Sequence, residues 1–108
     1  MSQPTASIDK TYKLLIGGQW VVGDEGTCAV VNPATEEIVG YAPEASVAQA
    51  EAAAQAAQDA FPAWWRTPPA ERARLLQALA DTLRERQGDL VPLIISETGA
   101  TAMVGSRM

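Results

Sequence analysis

The chain has 108 residues, of which 47% are hydrophobic, and its formal net charge is −5. This length suffices for one ordinary domain, and the hydrophobic fraction is that of a globular protein rather than a disordered one. The acidic balance argues against nucleic acid or an anionic membrane surface as a partner, because both require a basic face. The N-terminus is polar, so we predict a flexible leader over residues 1–11 and no secretory signal.

The content of histidine and cysteine limits the chemistry that the chain can perform. Histidine is absent, which excludes histidine general bases, Ser–His and Cys–His dyads and the usual histidine-containing zinc sites. Cys28 is the single cysteine, so there is no internal disulfide framework, and a reducing compartment is favoured. Since Cys28 lies inside an apolar strand pattern, we interpret it as an inert, buried residue and not as a nucleophile. No apolar run is long enough to cross a bilayer, and a cytoplasmic protein is predicted.

The first third of the chain has the pattern of two β-hairpins. Strand-like runs at 12–16 and 19–22 flank Gly17-Gly18, and two glycines are typical of a two-residue hairpin turn. A phosphate-binding loop is less favoured there, because a strand and not a helix follows. The second hairpin joins 27–31 to 37–42 around Asn32-Pro33, where Pro33 suits a type I turn and Asn32 can close an Asx-type bond.

An alanine-rich helix is predicted from Val47 to about Phe61, with Ser46 as its N-cap and Pro62 as its stop or kink. One face carries mostly small residues, so we expect that face to lie close against a neighbouring element. Its members are Val47, Ala50, Ala54, Ala57 and Phe61.

Two further helical pieces follow. Thr67-Pro68-Pro69 starts an amphipathic helix, whose apolar stripe consists of Leu75, Leu76, Leu79 and Leu83. An interruption at 87–89 separates it from a third piece over about 90–98, with Asp89 as a cap and Gly99 as the stop. Residues 100–108 show no terminating element and no packing face, so the pattern indicates a chain that is interrupted rather than finished.

Four carboxylates and three tryptophans are the remaining candidates for functional side chains. Spacing alone pairs none of Glu36, Glu37, Glu44 and Glu97 as a general acid and base, and a solvated surface role is favoured for them. Glu97 differs from the others because it sits at the end of an apolar helix, where a carboxylate opposes the helix dipole and is unfavourable unless it caps something or meets a cation. The aromatic residues are interpreted as core or interface packing rather than as a stacking surface. They are Trp20, Trp64 and Trp65.

Five short blocks in order resemble the N-terminal segment of the NAD(P)-dependent aldehyde dehydrogenases. Each block alone is weak, whereas the five together, at this spacing, are specific. They are Ile16-Gly17-Gly18-Gln19-Trp20-Val21, Val31-Asn32-Pro33-Ala34-Thr35-Glu36-Glu37, Ala60-Phe61-Pro62-Ala63-Trp64, Pro69-Ala70-Glu71-Arg72-Ala73-Arg74-Leu75-Leu76 and Glu97-Thr98-Gly99.

The resemblance implies an α/β fold, in which residues 12–108 form an incomplete N-terminal part of the cofactor-binding domain, with two β-hairpins followed by about three helices. It implies a parent enzyme that oxidises an aldehyde to a carboxylic acid through a thiohemiacetal, with hydride transfer to NAD or NADP. The family's catalytic cysteine and glutamate lie downstream of the matched region, so we expect no catalytic and no cofactor-binding residue in this chain and no activity from it alone. The full-length enzyme is expected to be a homo-oligomer.

The resemblance also implies one metal site. Many family members bind a monovalent cation, sodium or potassium, and here its ligands would be the main-chain carbonyls of Val30 and Val31 and the carboxylate of Glu97. Oxygen donors of this kind suit a hard cation. The competing hypothesis for the whole chain is a small, self-contained interaction module of helices and hairpins with an exposed leucine stripe and no catalysis.

Overall fold

The computed structural model describes residues 12–105, which form four strands followed by four helices. The strands pair as two separate two-stranded antiparallel sheets, which confirms the predicted order of two hairpins and then helices. The leader predicted over 1–11 lies outside the described residues. In chain order the elements are β1 (Leu14–Ile16), β2 (Gln19–Val21), β3 (Thr27–Val31), β4 (Ile38–Pro43), α1 (Val47–Arg66), α2 (Pro69–Glu85), α3 (Gln87–Thr98) and α4 (Ala102–Gly105).

The glycine pair makes the turn of the first hairpin, as predicted. Leu14 lies opposite Val21 and Ile16 opposite Gln19, so the loop contains only Gly17 and Gly18. Their φ angles are 57° and 79°. Both positions therefore have the positive φ that a primed two-residue turn requires and that glycine adopts without steric cost.

The second hairpin reverses around Asn32, and its predicted Asx-type bond is present. The amide of Ala34 donates to Oδ1 of Asn32 at 2.9 Å. The Asn32 carbonyl accepts from the amide of Glu36 at 2.8 Å, and the Asn32 amide donates to the Glu37 carbonyl at 2.9 Å. The pairing register shifts between Val30 and Val31, because Val30 faces Gly40 while Val31 faces Ile38. Val39 is thus the extra residue of a β-bulge.

The start of α1 is the predicted one. Ser46 is the N-cap, and its hydroxyl accepts from the amide of Gln49 at 3.2 Å. The side chain of Gln49 returns the bond by accepting from the Ser46 amide at 3.1 Å, which completes a capping box. Two of the orphan N–H groups at this helix end are therefore satisfied.

The predicted end of α1 at Pro62 is wrong, because the helix continues through Pro62 to Arg66. It ends at Thr67, whose amide donates to the carbonyls of Ala63 and Trp64, both at 3.1 Å. Thr67 precedes Pro68, and a proline disfavours helical dihedrals in the residue before it. Pro68 therefore stops the helix, whereas Pro62 is accommodated within it.

The prediction of which face of α1 packs against a neighbouring element is also wrong. Val47 and Phe61, at the two ends of that face, are 77% and 55% exposed. The helix instead meets the first hairpin through its opposite side, where a Cβ on Gly17 would lie 3.6 Å from Cβ of Ala56. Alanine is small on every side of this helix, so composition did not distinguish the two faces.

The break before α3 is shorter than predicted. Arg86 alone separates α2 from α3, and Gly88 and Asp89 are helical. Asp89 is consequently not the cap, since α3 begins at Gln87 with Arg86 as its N-cap. The Asp89 amide already donates to the Arg86 carbonyl at 3.0 Å, so this turn is hydrogen-bonded without a glycine break.

Gly99 ends α3 as predicted, but the segment after it is not featureless. Gly99 has φ 71° and ψ 13°, a left-handed C-cap, and its amide donates to the Ile95 carbonyl at 2.9 Å. Residues 102–105 form the single turn α4, and a Cβ on Gly105 would lie 3.3 Å from Cγ1 of Ile95. Residues 100–105 thus fold back onto α3, contrary to the expectation, while 106–108 lie outside the described residues.

None of the hydrophobic side chains in residues 12–105 is fully buried. Trp20 and Trp65 are 66% and 68% exposed, so the described residues do not bury them in a core, and the predicted alternative of packing at an interface stays a prediction. Trp65 stacks on Phe61 with ring centroids 6.1 Å apart. Cys28 lies in β3 as predicted, yet it is exposed rather than buried, because β3 is paired on one edge only and no layer covers it.

Candidate functional site

A cleft of about 160 Å³ lies between the second hairpin and the end of α3. Residues of β3 and β4 form most of its wall, from Val30 on one strand and from 39–43 on the other. Tyr12 and Glu97 complete the lining. The structure therefore brings together two of the three predicted metal-site residues, Val30 and Glu97.

A close contact between two loops places Glu97 there. Gly99 adopts a positive φ at the end of α3, and a Cβ on it would lie only 2.8 Å from Cγ of Pro33. The end of α3 therefore sits directly against the turn that joins β3 to β4. Because Glu97 is only two residues before Gly99, this contact holds Glu97 at the cleft beside β3.

Val31, the third predicted ligand, is not in the wall of the cleft. It lies on the other side of the register shift from Val30 and is 47% exposed. Val30 and Glu97 both line the cleft, and main-chain carbonyl and carboxylate oxygens are the donor types that a hard cation prefers.

The other three candidate carboxylates lie away from this cleft. Glu36 and Glu37 are exposed in the hairpin turn, and Glu44 is exposed after β4. Glu44 acts through its backbone, accepting from the Glu25 amide at 3.2 Å and donating to the Gly26 carbonyl at 2.9 Å. Residues 12–105 contain no group of three or more His, Cys, Asp or Glu side chains arranged to hold a metal ion.

A polar cluster that the sequence analysis did not identify joins the loop after β2 to the start of α1. Oε1 of Gln49 accepts from the amides of Asp24 and Ser46 at 2.9 and 3.1 Å, while its Nε2 donates to the Val22 carbonyl at 2.7 Å. The Ser46 hydroxyl donates to Oδ2 of Asp24 at 3.2 Å. Ser46 followed three residues later by Gln49 is a capping-box pattern, which was the available signal.

Gly23 shows how tightly this loop lies on the chain after β4. A Cβ at Gly23 would collide with the main chain of Glu44. Gly23 and Gly105 are the two buried residues among those described. The cluster therefore fixes the first hairpin, the second hairpin and α1 relative to one another.

Comparison with known proteins identifies the family. Residues 20–106 match the model of the aldehyde dehydrogenase family. The chain belongs to the aldehyde dehydrogenase family. It is 37% identical over 102 residues to vanillin dehydrogenase of Corynebacterium glutamicum, covering 94% of this chain and 21% of that enzyme. It is 42% identical over 91 residues to malonate-semialdehyde dehydrogenase 2 of Geobacillus kaustophilus, covering 83% of this chain and 19% of that enzyme.

Solved structures of the family have the same fold over this segment. An NAD-dependent benzaldehyde dehydrogenase from Corynebacterium glutamicum superposes with a TM-score of 0.83 at 35% identity, over 94% of this chain and 22% of that one. An NAD-dependent aldehyde dehydrogenase from Sinorhizobium meliloti gives a TM-score of 0.85 at 33% identity, over 97% of this chain and 22% of that one. The chain spans about a fifth of the length of the curated relatives that it matches. No helix among residues 12–105 is both long and apolar enough to traverse a membrane.

Proposed function

We propose that this chain is the N-terminal part of the cofactor-binding domain of an enzyme that oxidises a small aldehyde to a carboxylic acid, with NAD or NADP as hydride acceptor. Membership of the family, carried by the match over residues 20–106, is the observation that supports this function. In this proposal the chain supplies framework, and it contributes no catalytic residue and no residue that binds the dinucleotide. The complete enzyme acts as a homo-oligomer.

The alternative hypothesis, a self-contained interaction module, has less support. A domain that folds alone needs its own hydrophobic core. The described residues bury no hydrophobic side chain completely, and the leucines of α2 are 41–61% exposed. Such a surface fits a segment of a larger unit better than a finished module.

A chimeric enzyme tests the proposed activity. In it, this chain replaces the matched N-terminal segment of vanillin dehydrogenase from Corynebacterium glutamicum, which is hereafter the chimera. We expect the chimera to reduce NAD⁺ in the presence of vanillin, whereas the 108-residue chain alone does not. A folded chimera without this activity, or activity from the 108-residue chain alone, would contradict the proposal.

We further propose that the cleft beside β3 holds a monovalent cation, sodium or potassium. The carbonyls of Val30 and Val31 and the carboxylate of Glu97 are the proposed ligands from this chain. The position of Val30 and Glu97 in one cleft supports the site, whereas Val31 does not line that cleft. The ion would also neutralise a carboxylate that otherwise opposes the dipole of α3.

The cation proposal is tested on the chimera by thermal unfolding in sodium, potassium or a bulky organic cation at constant ionic strength. We expect the small cations to raise the unfolding midpoint, and Glu97→Gln to remove this dependence. Glu37→Gln, an exposed carboxylate outside the cleft, is the matched control and should leave it unchanged. A midpoint in the Glu97→Gln variant that still depends on the cation would refute the assignment.

A further inference from the structure

We propose that the contact between Gly99 and Pro33 sets the width of the cleft beside β3 and thereby its preference between sodium and potassium. Neither residue lines the cleft, so both act as positioning residues for the groups that do. The inference rests on the cation site of the proposed function, and its test distinguishes failure of the site from failure of the positioning.

The two walls of the cleft come from parts of the chain that are distant in sequence. Val30 and residues 39–43 belong to the second hairpin, whereas Glu97 belongs to the last turn of α3. The helices α1 and α2 lie between them in the chain. A connection of that length does not by itself fix the distance between the walls, so a direct contact between the hairpin and α3 has to do so.

Gly99 and Pro33 make this direct contact close to both walls. A Cβ on Gly99 would lie 2.8 Å from Cγ and 3.8 Å from Cβ of Pro33. Pro33 is three residues from Val30, and Gly99 is two residues from Glu97. A displacement at the contact is therefore passed to the cleft over no more than three residues on either side.

Both sides of the contact are held rigidly. The ring of Pro33 fixes its φ, and the turn around it is closed by the Asn32 amide, which donates to the Glu37 carbonyl at 2.9 Å. On the other side, the Gly99 amide donates to the Ile95 carbonyl at 2.9 Å and completes the C-cap of α3. Because the two elements are rigid where they touch, extra volume at the contact widens the space between them.

A single methyl group added at Gly99 is enough to change this width. Ordinary van der Waals contacts of a Cβ begin at about 3.4 Å, so alanine has to move the hairpin and α3 apart by about 0.6 Å. Preorganised sites hold their ligands within about 0.5 Å of the working geometry. Selectivity between cations of equal charge depends on cavity size, ligand number and flexibility, and potassium is larger than sodium. A wider cleft should therefore favour potassium.

Titrations of the chimera with sodium and with potassium, at constant ionic strength, measure this preference through the midpoint of thermal unfolding. Each titration gives an apparent affinity, because a ligand that binds only the folded state stabilises it according to its concentration and dissociation constant. The sodium–potassium ratio is defined here as the apparent affinity for sodium divided by that for potassium. Gly99→Ala should lower this ratio by at least about fivefold, which is the lower end of the usual coupling between two sites.

Gly99→Asn separates the width of the contact from the strain of the backbone. Asparagine adds the same Cβ as alanine but tolerates the left-handed conformation better. It should therefore lower the sodium–potassium ratio as alanine does, with a smaller loss of stability. This variant also carries the test if Gly99→Ala does not fold.

A double variant and a matched control complete the set. Pro33→Ala combined with Gly99→Ala removes Cγ of Pro33 and leaves 3.8 Å to its Cβ, so it should restore the parent ratio although the protein remains less stable. Gly88→Ala adds a methyl group in the same helix, where a Cβ meets nothing within 4 Å, and should leave the ratio unchanged.

The outcomes assign a failure to one of the two proposals. A parent chimera whose midpoint depends on neither cation refutes the cation site, and the positioning with it. If the parent responds to cations but Gly99→Ala and Gly99→Asn leave the ratio unchanged, for example because both affinities fall equally, the site stands and the positioning is refuted. A lowered ratio that the double variant does not restore would refute the role of Pro33.

Discussion

Gly99 and Pro33 meet where the end of α3 touches the turn between β3 and β4, and no side chain fits between them. A Cβ on Gly99 would stand 2.8 Å from Cγ of Pro33, and the φ of Gly99 is 71°. Glycine is therefore required for two independent reasons, its backbone conformation and the space. This contact joins two of the sequence blocks that identify the family, Asn32-Pro33 and Glu97-Thr98-Gly99.

Replacement of Gly99 by alanine should consequently destabilise the junction. The left-handed conformation alone costs a residue with a Cβ about 1–2 kcal/mol, and the collision with Pro33 adds to that. In the chimera, we expect Gly99→Ala to lower the free energy of unfolding by about 1–3 kcal/mol, measured by urea denaturation followed by circular dichroism.

Gly88 provides the matched control within the same helix. It lies inside α3, its φ is not positive, and a Cβ there would meet nothing within 4 Å. Gly88→Ala should stabilise the chain by about 0.5–1 kcal/mol, because alanine is the better helix former. If both alanine variants shift stability in the same direction, the account of Gly99 is wrong.

Gln49 should be more important to stability than a surface glutamine in a helix. Its amide group makes three bonds at once, to Asp24, Ser46 and Val22. Gln49→Ala removes all three and should cost about 2–3 kcal/mol, given roughly 1 kcal/mol for each bond. Gln49→Glu keeps the acceptors but cannot donate to Val22, so its loss should be smaller, about 1 kcal/mol.

Thermal unfolding of these two variants beside Gln55→Ala checks this prediction. Gln55 is also in α1, but among residues 12–105 its side chain bonds only to Asp59 on the same helix, at 2.8 Å. Gln55→Ala should therefore leave the unfolding midpoint nearly unchanged. A loss for Gln49→Ala no greater than that for Gln55→Ala would show that the polar cluster does not hold the hairpins on α1.

The sequence predicts this fold best where local chemistry decides the structure. The glycine pair, the Asx turn at Asn32, the Ser46 cap and the Gly99 stop are all set by a few adjacent residues, and all four are present. Pro62 did not mark the end of α1, because a helix of 20 residues can persist although the proline removes one of its hydrogen bonds.

Features that depend on distant residues were not predictable in the same way. The packed side of α1 is set by the contact between Ala56 and the Gly17 turn, and periodicity in an alanine-rich helix does not reveal it. The cleft shows both cases: Glu97 was singled out by its place at a helix end, whereas the sequence showed neither the register shift between β3 and β4 nor the absence of Val31 from the cleft wall.

Acid should weaken the first turn of α2 through Glu71. The bidentate bond from Arg74 holds the pKa of the Glu71 carboxyl below its ordinary value of 4.5. A carboxyl whose pKa is lowered by folding contributes stability above its unfolded pKa and loses that contribution as the pH falls through the folded value. We therefore expect a small loss of helical signal as the pH falls below about 4.

An acid titration of Glu71→Gln followed by circular dichroism isolates this contribution. The variant should show less change in helical signal over the same acid range, while Glu51→Gln, a carboxyl in α1, should behave like the parent chain. The difference should shrink at high salt, because the pair is exposed to solvent, with 63% and 44% of the two side chains accessible. Identical acid titrations of parent and Glu71→Gln would contradict the assignment.

Glu36 is the residue at which a substitution should improve the hairpin. Its φ is 63°, and it is the one non-glycine residue with positive φ among those described. The strain arises because the Glu36 amide closes the turn by donating to the Asn32 carbonyl. Glycine relieves about 1–2 kcal/mol of left-handed strain but adds freedom to the unfolded chain, so we expect Glu36→Gly to gain about 0.5–1 kcal/mol in stability.

Glu37 is the natural control for this gain, since it is adjacent, equally acidic and free of positive φ. Glu37→Gly should lower stability, because it adds the same unfolded-state freedom without relieving strain. Both variants remove one negative charge, so any effect of net charge cancels in the comparison. The comparison is made by urea denaturation. The turn stores no strain at Glu36 if the free energy of unfolding of Glu36→Gly is lower than that of the parent, or equal to that of Glu37→Gly.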